Sequence, residues 1–185
     1  YNPTAIYVCD PVLGDDPKGL YIAQDAAKAI RAELVPLADA ATPNRFELAW
    51  LTGRPVTEPQ GCRGAAEMLD GPDVVATSIP AGSDASGRLM IGNVLVRNGE
   101  VLSLTTPRRK GIPHGTGDVL TALIAGHLAS GMTLNQAFER AHQLLERIVA
   151  ASVGREHLDL SLLTCVGNLP ESIFAHRNID QHPPS

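Results

Sequence analysis

Apolar positions along the chain group into short β-rich runs separated by longer stretches of helical period. Residues 6–9 are apolar and stop at Asp10-Pro11, which predicts a buried strand delivering a carboxylate to its C-terminal end. Over 25–34, Ala27, Ile30 and Leu34 share one helical face, and Pro36 should end that helix. A brief strand over 38–42 then meets Pro43-Asn44, and a second helix over 46–51 runs up to Gly53. Thr57 and Gln60 have the spacing of a capping box for a helix reaching Leu69, closed by Gly71-Pro72.

Val74, Val75 and Ala76 predict the next buried strand, emptying into Thr77 and Ser78. A flexible loop over 82–87 follows, then two strands over 89–96 and 101–105 joined at Asn98-Gly99, a strong hairpin signature. After Gly115-Thr116-Gly117-Asp118 the period becomes helical, with Leu120, Leu123, Ile124 and Leu128 inward and Gly131 at the stop. Thr133 and Gln136 form a second capping box, and Phe138, Ala141, Leu145, Ile148 and Val149 continue an apolar stripe. Residues 158–162 read as a last strand and 178–185 as a mobile tail. Such βα alternation implies an α/β fold, a mostly parallel sheet covered by helices.

Composition narrows the picture. The chain has 185 residues, 44% hydrophobic and 19% charged, as expected of one soluble globular domain with a substantial core. A net charge of -5 argues against a nucleic-acid surface, and Arg108-Arg109-Lys110 is too short to track a phosphate backbone. Any phosphate bound should therefore be small. Cys9, Cys62 and Cys165 form no C-x-x-C pair or zinc spacing, so we expect a reducing, cytoplasmic setting. No apolar run has the length of a membrane-spanning helix. The sequence starts at Tyr1, just before a strand, and we expect further chain upstream.

Gly115-Thr116-Gly117-Asp118 lies where the pattern enters a helix, so first-turn N–H groups can point together at one anion. A carboxylate beside that anion hole is placed to take a proton from an attacking hydroxyl, although a helix-capping Asp reads equally well from the tetrapeptide alone. No G-x-x-x-x-G-K-[ST] loop occurs, and Leu120 stands where a dinucleotide fingerprint needs its third glycine. Asp10, Asp15, Thr42, Asn44, Glu47, Thr77 and Ser78 all fall at or just after predicted strand ends, which form the ligand crevice of parallel α/β sheets. Their hard oxygens suit magnesium and an alkali cation, as phosphoryl transfer requires. Singly, each has a plainer reading: Asp10 as a turn former, Asn44 as an Asx turn, Glu47 as a solvated helix residue, Thr77-Ser78 as a cap or loop.

Three segments together resemble pyridoxal kinases of the ribokinase-like superfamily: Cys9-Asp10-Pro11-Val12-Leu13-Gly14-Asp15, Thr42-Pro43-Asn44-Arg45-Phe46-Glu47 and Gly115-Thr116-Gly117-Asp118. Order and spacing agree to about Leu163, and the D-P-V-x-G-D segment combined with 35–47 is more specific than the widely shared G-T-G-D. The resemblance implies a three-layer α/β/α fold, incomplete at its N-terminal side, with the ATP-binding and catalytic portion over 1–163 and an extension over 164–185. It implies transfer of the ATP γ-phosphate to the 5'-hydroxyl of pyridoxal, pyridoxine or pyridoxamine in vitamin B6 salvage. Asp118 would be the base, and Gly115, Thr116 and Gly117 the anion hole. Asp10, Asp15, Thr42 and Glu47 would serve Mg2+ and K+, with Thr77 also near the alkali cation. Asn44, Glu47, Thr77, Ser78, Lys110 and Gly111 would lie along the nucleotide, and Tyr21 in a lid-like segment. A homodimer is implied, with no nucleic acid or membrane partner.

Other residues read as structural: His127 and His142 as surface or satisfied core residues, Cys9 as a small hydrophobe and Trp50 as packing. His114 adjoins the glycines without any motif requirement for it. The family begins with an N-terminal region, carrying most of the pyridine pocket, that this sequence lacks, so we expect the C-terminal portion of a longer enzyme. Hydroxymethylpyrimidine kinase and a catalytically silent paralogue that binds nucleotide or B6 compounds remain alternatives.

Overall fold

The computed structural model describes residues 5–160. In chain order, β1 (Val8–Cys9) leads to a small antiparallel hairpin of β2 (Gly14–Asp15) and β3 (Gly19–Leu20), then α1 (Gln24–Ala29), β4 (Ala40–Ala41), α2 (Arg45–Thr52) and α3 (Gly61–Ala66). The second half comprises β5 (Asp73–Ser83), β6 (Leu89–Arg97), β7 (Glu100–Pro107), α4 (Thr116–Ala129) and α5 (Leu134–Ser152). The five-stranded sheet has the order β1-β4-β5-β6-β7. Its β1–β4 and β4–β5 pairings are parallel, and the β6–β7 hairpin adds two antiparallel ones.

Two-residue alternation builds the layers. Val75 and Leu95 face α4 and α5, packing with Leu120, Ile124, Phe138 and Ala141. Their neighbours Val74, Ala76, Val94 and Val96 face the other way, onto Leu48 of α2 and Cys62 and Ala65 of α3. The sheet is thus covered on both faces, the arrangement expected of helix-sheet alternation. A third cluster, including Cys9, Leu13, Ala27 and Leu51, seats α1 beside the start of the sheet.

Four expectations need correction. The first helix does not stop before Pro36: it passes into a π-helical turn, Ile30–Leu34, and a 3-10 turn, Val35–Leu37. The wide turn closes with a bond from Val35 N–H to Ile30 O and shifts the inward face by one residue, so Leu34 is 45% exposed and Val35 only 1%. Thr57 and Gln60 form no capping box. The helix there is confined to Gly61–Ala66, where Gly61 and Gly64 weaken helical propensity. The strand through Val74 does not empty at Thr77 but continues to Ser83 across an irregularity between Ala76 and Ile79. The loop over 84–88 is tied down, because the Asp84 carboxylate accepts from the N–H and hydroxyl of Ser86 and from the backbone and Nε of Arg88.

Other expectations match closely. Asn98 and Gly99 carry φ values of 50° and 75°, the left-handed pair of a tight two-residue hairpin. Thr133 and Gln136 cap α5 reciprocally. Residues 158–160 are not a strand, and 161–162, the boundary at 163 and the tail over 178–185 lie outside the described residues.

Candidate active site

The C-terminal ends of β1 and β4, the irregularity in β5 and the N-terminus of α4 enclose a cleft of about 380 Å³. α4 is entered through Gly115, whose φ of 99° is left-handed backbone that a side chain would strain. Val119 N–H is bonded to Gly115 O at 3.0 Å, and the amides before it in the helix have no partner within the helix. No side chain caps α4. Asp118, exposed in its first turn, therefore does not play the capping role that the tetrapeptide alone allowed.

Asp10, Asp15, Thr42, Asn44, Glu47, Thr77, Ser78 and the whole of Gly115-Thr116-Gly117-Asp118 line this cleft. Tyr21 and His114 line it as well, whereas Lys110 and Gly111 do not. Ile112 and Pro113 from the same loop take their place. A strand ordinarily sends neighbouring side chains to opposite faces, yet Thr77 and Ser78 both border the cleft. The reason is local: Ser78 has φ of 60° at the register shift, which breaks the alternation. Thr77 N–H is bonded to Pro43 O at 2.9 Å, and Thr77 bridges to Asn44, so the irregularity is held against the start of α2.

Glu47 is not a solvated helix residue. It is only 3% exposed, and its carboxylate accepts from Leu13 N–H (2.8 Å), Gly14 N–H (3.3 Å) and Asn44 N–H (2.8 Å). Asn44 completes a reciprocal capping box by accepting from Glu47 N–H, and its amide donates to Gly14 O. This polar knot fixes the chain around Gly14, where a Cβ would lie 2.2 Å from Gly19 O. Burial pushes the Glu47 carboxyl above its ordinary value, with the three amides opposing the shift.

Asp10 is also raised, first by burial and further by the charge of Asp118, against a hydrogen bond from Thr121. The bare helix amides suit an anion such as phosphate, and the carboxylates of Asp10 and Asp118 beside them suit a cation that accompanies it. Among the described residues, no three His, Cys, Asp or Glu side chains converge as a metal cluster. Both Glu47 oxygens are taken by amides, so the donor set fits Mg2+ that draws most of its shell from water and phosphate.

Sequence reasoning overlooked Thr121, Asn93, Ile112 and Pro113. Thr121 lies four residues after Gly117, and Asn93 sits on β6, next to the central strand β5. An amide in an otherwise apolar strand was the available signal for Asn93. Its side chain is 3.2 Å from His142 Nδ1. His142 is thus a satisfied core residue, whose imidazole burial pushes below its ordinary value. Cys9 is buried and Trp50 packs beside α1, as their structural readings expect. A second cavity of about 220 Å³ shares Ser78, Asn93 and Thr116 with the cleft and is walled by the Arg109–Glu146 ion pair at 2.7 Å.

Comparison with known proteins agrees with this fold. The family model of phosphomethylpyrimidine kinase matches residues 2–161. Over 161 residues the chain is 34% identical to a pyridoxal kinase of Granulibacter bethesdensis, a match covering 81% of this chain and 56% of that protein. The crystal structure of pyridoxal kinase from Lactobacillus plantarum superposes with a TM-score of 0.72 at 31% identity, covering 92% of this chain and 62% of that one. Pyridoxal kinase from Leishmania donovani in complex with ADP and ginkgotoxin gives 0.70 at 30% identity, covering 85% and 56%. The chain spans little more than half the length of the curated relatives it matches.

Proposed function

The chain belongs to the phosphomethylpyrimidine kinase family, and from that premise we propose that it carries the ATP-binding and catalytic portion of a pyridoxal kinase. The observation that carries this reading is the meeting, in one cleft, of the α4 N-terminus, the Asp118 carboxylate and the paired Thr77 and Ser78 hydroxyls. The relatives named pyridoxal kinase and the solved complex with ADP support the choice of phosphate donor and acceptor.

In this mechanism Asp118 takes the proton of the acceptor's 5'-hydroxyl as its oxygen forms a bond to the γ-phosphorus. The bond from that phosphorus to the β–γ bridging oxygen breaks, and ADP leaves. Amides of Gly115, Thr116 and Gly117 hold the transferring group, whose negative charge the helix dipole also favours. Thr77 and Ser78 offer hydroxyls to the phosphates, and Asn44 fixes the backbone beneath them. Asp10, Asp15 and Glu47 would hold Mg2+ largely through water, and the ion would supply charge neutralisation for the phosphates. Thr42 and Thr77 would border K+. Tyr21, beside the β2–β3 hairpin, closes over the cleft against water. A cytoplasmic homodimer completes the proposal.

A coupled ADP-release assay on the complete enzyme that contains this chain tests it, comparing pyridoxal with hydroxymethylpyrimidine in the presence of Mg2+ and K+. Faster turnover of pyridoxal is the expected result. A preference for the pyrimidine, or no release with either, would sink this reading.

A further inference from the structure

We propose that Thr121 is a positioning residue that holds the β1 carboxylate, the β4 hydroxyl and the first turn of α4 in one fixed arrangement. The inference rests on the kinase reading for its rate effect, but its geometry stands independently. The Thr121 hydroxyl is 3.2 Å from Asp10 Oδ2, 2.8 Å from Thr42 Oγ1 and 3.1 Å from Gly117 O. These partners belong to three segments that reach the cleft separately, Asp10 and Thr42 lying 111 and 79 residues away in sequence.

A threonine inside a helix commonly bonds the carbonyl four residues back, and that habit alone accounts for the Gly117 contact. It does not account for the other two. A hydroxyl has one proton and two lone pairs, so it can receive from Thr42 while giving its proton to Asp10, the charged and hence stronger acceptor. Gly117 O lies close enough to share that proton. Gly117 and Asp10 both line the cleft, so the hydroxyl ties two of its lining residues, one from α4 and one from the end of β1, to each other. Thr121 itself is not among the residues that line the cleft, and it acts through its partners rather than on a substrate.

Displacement of a reacting group by about 1 Å can cost about a hundredfold in rate. Thr121→Val, which keeps the shape and removes the hydroxyl, is expected to lower kcat for pyridoxal phosphorylation about tenfold or more, with KM for ATP within about twofold of wild type. Thr121→Ser, which restores the hydroxyl and lacks the methyl, should recover kcat to within about threefold. If Thr121→Val fails to fold, Thr121→Cys takes its place, since a thiol bonds hydrogen only weakly. The second readout needs no substrate: the carboxyl carbon NMR resonance of Asp10, assigned with Asp10→Asn, should move in the hydroxyl-free variant and hold its place in Thr121→Ser. Wild-type kcat in Thr121→Val, a Thr121→Ser as slow as Thr121→Val, or an unmoved Asp10 resonance would each overturn the proposal. A wild-type protein that fails to phosphorylate pyridoxal yet shows the resonance pattern would refute the functional reading and leave the positioning role in place.

Discussion

Asp118 stands in the first turn of α4 with no capping bond, near enough to Asp10 that its charge raises that neighbour's pKa. The helix dipole favours an exposed first-turn carboxylate there, and its place in the cleft puts it within reach of an acceptor's proton. Asp118→Asn keeps size and hydrogen-bonding capacity while removing the base. We expect it to lower kcat by about 10²- to 10⁴-fold with nucleotide affinity nearly intact, measured by steady-state turnover and by ADP titration calorimetry. Asp118 was legible because two glycines and a helix entry mark its place. Asn44 and Glu47 were legible as candidates, but their mutual cap was not recognised, although Asn-x-x-Glu before an apolar run is its written form. Thr121 was hidden, since a threonine within an apolar helical stretch looks the same whether its hydroxyl meets only its own helix or two distant strands.

Elements add what single residues cannot. Period-2 and period-3.6 patterns located β6, β7, α4 and α5 because each of them buries one face against a neighbour. The irregularity in β5 left no such trace: serine is tolerated in strands and loops alike, and only the folded backbone shows Ser78 at φ of 60°. The π-helical turn after α1 escaped for the same reason, as it spends one extra residue without changing composition. The cleft depends on the β5 irregularity for having two adjacent hydroxyls on one side. Glycine adopts left-handed backbone freely, whereas a β-branched residue is strained there by roughly 1–2 kcal/mol. Ser78→Val should accordingly be less stable than Ser78→Gly by about that amount in urea unfolding. Equal stabilities would mean that the left-handed turn relaxes at little cost.

At the scale of the molecule, the three layers and the position of the cleft followed from strands that end in polar residues and helices that cover both faces. His142 joins two of those layers, accepting from the Asn93 amide on β6 while packed near Phe138 within α5. Burial lowers its pKa from 6.5, against a smaller opposing influence of Glu146, so the folded state favours the neutral ring. A group depressed by folding contributes stability that is fully present above the unfolded pKa and lost as pH falls through the folded one. Wild-type stability should therefore decline as pH drops below 6.5, and His142→Gln, which keeps an acceptor but takes no proton, should flatten that decline. Parallel pH profiles from urea melts of the two proteins would remove His142 as the cause. The tie between Asp10 and Thr121 also has a meaning in time. A ribosome releases the carboxylate 111 residues before the hydroxyl that steadies it, and such distant pairings close late because the intervening chain must first be ordered. During synthesis, the growing protein thus extends by 111 residues with one carboxylate of its reactive cleft still waiting for the hydroxyl that will steady it.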